Sequence, residues 1–101
     1  NVILPERKKG YLETFALYMG NFKKRDKLIK FLDKKNIECK IHYPIPLHLQ
    51  DAAKKLKYKK GSMPKAEYQA RSLMTIPVHQ FLNKSHMSYV AKQIKLFYEN
   101  Y

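Results

Sequence analysis

The chain has little cysteine, glycine and acid: one cysteine, three glycines and eight aspartates and glutamates in 101 residues. Each scarcity excludes something. A lone Cys39 cannot build a disulfide framework and fits a reducing, cytoplasmic setting. Three glycines leave no glycine-rich phosphate loop. No serine and base complete a nucleophilic site, and no closely spaced pair of carboxylates is available for acid–base work. His42 and His48 are separated by two prolines at a spacing that suits no common metal-ligand motif, so no metal is expected. No apolar run reaches transmembrane length, and the start does not resemble a secretion signal. Asn1 opens the chain without a methionine, which leads us to expect a piece of a longer protein.

Arginine is scarce as well. Arg7, Arg25 and Arg71 are three of the 21 basic residues, which leaves 18 lysines and a net charge of +13. Base and phosphate recognition draws on arginine's planar fork, whereas these lysines are scattered through nearly every segment. A solvated lysine surface explains them, and no dedicated nucleic-acid binding is expected. General affinity for polyanions would follow from charge alone. What is present argues for folding: 45% hydrophobic residues, with eight tyrosines and five phenylalanines, suit one small domain.

Residues 1–10, with Pro5 and Gly10 around a polar run, read as a connecting arm. Residues 11–19 alternate as a strand that Gly20 and Asn21 would end. Leu28, Phe31 and Leu32 repeat at helical spacing within 23–35, with Asn36 closing that helix. Ile37, Cys39 and Ile41 alternate with Glu38, Lys40 and His42, which predicts a second strand with His42 on its polar face and Cys39 turned inward as an inert thiol. A short helix is expected over 47–56. Pro64 suits the first turn of another helix running to about Ser72, and an extended stretch follows over 73–77. Asn83 can cap a last helix in which Met87, Val90, Ala91, Ile94 and Phe97 form one apolar face. The fold class expected is α+β, a small, mostly antiparallel sheet with helices packed on one face.

The segment most suited to hold a site is IECKIHYPIPLHLQ, residues 37–50. Pro44 and Pro46 fix their own φ and bias the preceding residues toward extended backbone, so His42 and Tyr43 would end a strand on stiff main chain. Such a place suits ligand contact, but a pair satisfied by backbone or water fits equally, and the residues leave both readings open. His48 could cap or pack at the start of its helix. His79 lies in a loop after Pro77.

One family shares this pattern. The stretches RDKLIKFLDKKNIECKIHYPIPLHLQ and GSMPKAEYQARSLMTIPVHQFLNKSHMSYVAKQIKLFY together resemble the carboxy-terminal domain of DegT/StrS-type sugar aminotransferases. The shared residues are Arg25-Asp26, Ile37, the block from His42 to Gln50, Gly61, Pro64 with Ala66-Glu67, the stretch from Leu73 to His79, and the closing amphipathic helix. The resemblance implies the small C-terminal domain of the aspartate aminotransferase fold, the type I pyridoxal-phosphate enzymes. Residues 11–101 would be that domain, and 1–10 an arm from a missing large domain. It implies a cytoplasmic homodimer using pyridoxal 5'-phosphate, moving an amino group, usually from glutamate, onto a nucleotide-linked keto-sugar. The cofactor lysine and most phosphate contacts would belong to the large domain. By carry-over, His42 and Tyr43 would contact the nucleotide-sugar from one wall of the cleft, with His48 and Gln50 beside them; no catalytic, cofactor-binding or metal residue is expected within these 101. Glu13-Thr14-Phe15, Asp51 and Gln80 stand where relatives commonly carry histidine or tyrosine, proline and proline. A dehydratase or regulatory relative on the same scaffold, and a free-standing basic polyanion-binding module, are the alternative readings.

Overall fold

A computed structural model describes the whole chain, residues 1–101. In order, the elements are strand β1 (Val2–Ile3), strand β2 (Tyr18–Phe22), helix α1 (Arg25–Asp33), two 3-10 turns (Leu47–Leu49 and Asp51–Leu56), helix α2 (Pro64–Ser72), strand β3 (Leu73–Ile76) and helix α3 (Lys84–Asn100). The strands form an antiparallel sheet ordered β1-β2-β3, with Met19 opposite Thr75 and Gly20 opposite Met74. The expected α+β layer is therefore present.

The core lies against one face of that sheet. Phe22 and Met74 from the strands meet Leu28 and Leu32 from α1, Ile37, and Phe97 from α3, all of them buried. Each such side chain contributes about 1.5–3 kcal/mol by leaving water. The rings of Phe31 and Phe97 sit 5.5 Å apart. Helix α3 runs antiparallel to α1 and is tied to both its ends: the Tyr98 hydroxyl donates to the Lys23 carbonyl at 2.7 Å and the Tyr89 hydroxyl to that of Lys35 at 3.3 Å. Asn83 caps α3 as expected, its side chain accepting from the His86 N–H at 3.0 Å while His86 Nδ1 accepts from the Asn83 N–H.

Two strand expectations need correction. Residues 11–17 are not a strand, because Phe15 takes a positive φ of 51° and the ladder begins only at Tyr18. Nor do Gly20 and Asn21 end it; both are in β2. A Cβ on Gly20 would stand 3.0 Å from Leu4 Cδ2 and 3.3 Å from the Ile3 carbonyl. The glycine makes room for the arm to pair, so Val2 and Ile3 join the sheet.

The second correction is residues 37–41, which form one bridge, Lys40 to Thr75, and no named strand. The backbone has other uses at both ends. Asn36 (φ 56°) closes α1 in a Schellman motif, its N–H reaching Asp33 and that of Ile37 reaching Leu32. After Lys40 the chain turns away at Tyr43. The bridge is still firm, with bonds of 2.9 Å and 3.2 Å in the two directions.

Arg25 clamps the layers together. It is buried, and its Nη1 donates to the Ala70 carbonyl at 2.5 Å and to the Leu73 carbonyl at 3.2 Å, at the helix end where α2 passes into β3. Carbonyls at a helix C-terminus have no intrahelical partner, and the guanidinium supplies one. Arg25→Met should cost about 2–4 kcal/mol of stability through carbonyls left unpaired. Urea denaturation would measure this, and a loss near zero would show the clamp to be idle.

Candidate functional site

Side chains alternate across a strand, so Met74 and Thr75 point to opposite faces of β3. Met74 enters the core, and Thr75, also buried, meets His42 on the other side. His42 Nε2 lies 3.3 Å from Thr75 Oγ1, which is itself 3.4 Å from the Lys40 carbonyl. With the threonine proton on that carbonyl, which can only accept, the oxygen accepts from His42 Nε2–H. In the neutral ring Nδ1 is then an acceptor. Half-buried His42 thus stands over the sheet, on the face away from the α1–α3 core.

Tyr43 is placed quite differently. It is 74% exposed, and its φ is +56°, not the extended backbone expected before Pro44. A left-handed conformation at a bulky residue costs about 1–3 kcal/mol and persists only where its surroundings enforce it. Here the surroundings are the two prolines and the anchored turn after them. Ile45 and Leu47 are exposed too, so an apolar edge of alternate residues runs on from Tyr43.

The other two candidate residues bond back onto the chain. Gln50 Nε2 donates to the Ile45 carbonyl at 3.2 Å, closing the proline turn. His48 is buried, its Nε2 donating to Glu67 Oε1 at 3.1 Å. A carboxylate only accepts, which assigns the proton to Nε2. The same Glu67 oxygen also accepts from the Gly61 N–H at 2.7 Å and the Met63 N–H at 3.4 Å. Burial works against the charged carboxylate, but these hydrogen bonds outweigh it, and Glu67 is held below its ordinary value of 4.5. Sequence reasoning assigned Glu67 no role at the site. The available signal was its position in the first turn of a Pro-started helix, where an acid meets free N–H groups.

The four residues line neither of the two main hollows on which α3 borders. One, of about 890 Å³, lies between the N-terminal arm and α3, and the other, of about 570 Å³, lies between Leu17, Lys40 and Tyr89. His42 and Tyr43 instead make an open, braced edge. No group of three or more histidine, cysteine or acidic side chains could hold a metal. All the lysines are exposed, so none has the dry setting in which an amine carries a coenzyme as an imine, and these residues do not fit a cofactor site of their own. Cys39 is half-buried against the core; burial first, then the charge of Glu38, push its thiol up to about 11. No helix is long and apolar enough to cross a membrane.

Fold and site together define a small α+β module that carries a stiff aromatic edge on the sheet face opposite its core. Comparison with known proteins places it more closely. Residues 2–95 match the model of the DegT/DnrJ/EryC1/StrS aminotransferase family, and the chain belongs to that family. It is 34% identical over 100 residues to a pleiotropic regulatory protein of Geobacillus stearothermophilus, covering 99% of this chain and 27% of the relative. It is 32% identical over 71 residues to the dTDP-3-amino-3,4,6-trideoxy-alpha-D-glucose transaminase of Streptomyces venezuelae, covering 70% and 19% respectively. The crystal structure of S. venezuelae DesV in complex with a ketimine intermediate superposes with a TM-score of 0.85 at 27% identity, over 95% of this chain and 26% of that one. The chain thus spans about a quarter of the length of these proteins.

Two measurements follow from the ionisable groups. With its thiol near 11, only about one Cys39 in a thousand is thiolate at pH 8, so iodoacetamide should label it far more slowly than free cysteine. Labelling as fast as the free thiol would contradict this. Glu67, lowered in the folded state, favours folding above its ordinary 4.5 and loses that contribution as the pH falls through its folded value. The stability gap between the parent and Glu67→Gln should therefore be widest above pH 4.5 and close below it, as read by urea midpoints across pH.

Proposed function

We propose that this chain is the carboxy-terminal domain of a sugar aminotransferase and forms one wall of its substrate cleft. The full protein would move an amino group, from glutamate, onto a keto-sugar linked to a nucleotide, working in the cytoplasm as a homodimer. Pyridoxal phosphate, held by the rest of the protein, would supply the carrier for the amino group. The observation that carries this reading is Tyr43, an exposed aromatic in a left-handed conformation on main chain braced by two prolines and the buried His48–Glu67 hydrogen bond. Strain of that kind collects where a side chain must be aimed.

The residues divide the work. Tyr43 offers a ring face and a hydroxyl to the ligand. His42, its Nε2 occupied by Thr75, offers Nδ1 as an acceptor for a hydroxyl of the sugar or nucleotide. His48 and Gln50 hold the turn that sets both. The exposed Tyr43, Ile45 and Leu47 suit an edge that another part of the protein covers when the cleft is assembled.

A second reading is favoured by the Geobacillus relative, whose name is that of a regulatory protein. On that reading the same wall binds a ligand without amino transfer. The coenzyme absorbance of the full protein separates the two: a band that shifts on adding glutamate supports transfer, and one that no amino donor changes supports regulation. Tyr43→Ala in the full protein should weaken nucleotide-sugar binding about five- to tenfold, the loss expected of one contact with a hydrogen bond. Unchanged affinity, measured by calorimetry, would remove Tyr43 from the cleft wall.

A further inference from the structure

We infer that Glu67 is a positioning residue for the ligand contact, acting through His48 to set where the Tyr43 ring stands. The inference rests on the reading that Tyr43 meets the nucleotide-sugar, and it deepens that reading by naming what aims the ring.

The chain between Ile41 and Met63 is a long excursion with almost no core of its own. His48 is its only buried residue, and Leu47 and Leu56 are 71% and 66% exposed. No strand pairs it to the sheet, and its regular structure is limited to the two 3-10 turns. Such a segment buries too little apolar surface to hold one conformation by packing. Beyond His42, which Thr75 ties to the sheet, what holds it is a single carboxylate oxygen. Glu67 Oε1 takes the imidazole of His48 near the start of the excursion, and the N–H groups of Gly61 and Met63 near its end. Gly61 supplies one of these from a φ of +93°, a conformation that suits glycine. The carboxylate is fixed in turn by α2, which the Arg25 clamp ties to α1.

The path from His48 to Tyr43 is short and stiff. It crosses Pro46 and Pro44, whose rings fix φ, and the Gln50 bond to the Ile45 carbonyl closes its part from Ile45 onward. A shift of His48 has few soft dihedrals to absorb it before Tyr43. The positive φ of Tyr43 is a conformation that the turn enforces, so loosening the turn lets the residue relax and its ring swing away. The effect on a ligand is then a loss of aim, with no group in contact with it removed.

The test uses the full protein, with dTDP-glucose, UDP-glucose and GDP-mannose as probes in titration calorimetry. Glu67→Gln keeps the shape of the side chain and removes its charge. It should weaken the best-bound probe about tenfold or more, as small misplacements do. Tyr43→Ala should weaken it as well, and the double variant should be no weaker than Tyr43→Ala alone, because the two changes act through one ring. His48→Ala should copy Glu67→Gln, whereas His48→Gln, which keeps an N–H donor toward Glu67, should bind close to the parent. A merely structural role would give additive losses and no rescue. If Glu67→Gln does not fold, the His48→Ala and His48→Gln pair carries the same comparison. Full affinity in Glu67→Gln beside a weakened Tyr43→Ala overturns this inference and leaves the cleft-wall reading standing. Additive losses in the double variant overturn it too. An unaffected Tyr43→Ala, or a parent that binds none of the probes, overturns the cleft-wall reading, and this inference with it.

Discussion

Neighbouring side chains on a strand point to opposite sides, and the four residues of β3 use that alternation to join the core to the candidate site. Met74 closes the apolar cluster with Phe22, Leu28, Leu32 and Phe97, while Thr75 receives His42 on the other face. The backbone of Thr75 also carries the bridge to Lys40, so the start of the HYPIPLHLQ block hangs from this one strand. Where the core places β3, His42 must follow.

Polar contacts carry a large share of the order. Fourteen of 101 residues are buried and six of those are polar or charged, so apolar burial alone leaves long stretches unheld. Arg25 ties α1 to the end of α2, and Glu67 ties the excursion between Ile41 and Met63 to the start of α2. Buried groups of this kind are strong only when fully partnered, and their geometry then admits few alternatives. The contacts form a relay from α1 through α2 to the proline turn. A tyrosine on a loop with little core of its own can therefore stand in a strained, exposed conformation.

Local rules carried well where an element depends on its own residues. Pro64 opening α2, Asn83 capping α3, the apolar stripe through Val90, Ile94 and Phe97, and the extended stretch at 73–76 were all legible, because caps and periodicity act within a few residues. The errors fall where the fold put a stretch of backbone to another use. Gly20 reads as a breaker until the arm is seen to need the space beside it, and residues 37–41 read as a strand until the Schellman turn and the bend at Tyr43 take both ends. Within the site block, the residue types were legible and their division into a presented pair and an anchoring pair was not.

By itself, the sequence determined that the chain folds as α+β, where its later helices begin, that a lone cysteine leaves no disulfide framework, and the block on which a site would be built. Those follow from composition, spacing and the fixed φ of proline, all of them short-range. Only the tertiary structure decided that Tyr43 faces out while His48 faces in, and that a glutamate nineteen residues beyond His48 holds the turn. Burial and hydrogen-bond partnership are properties of groups brought together across the chain, and no local pattern encodes them.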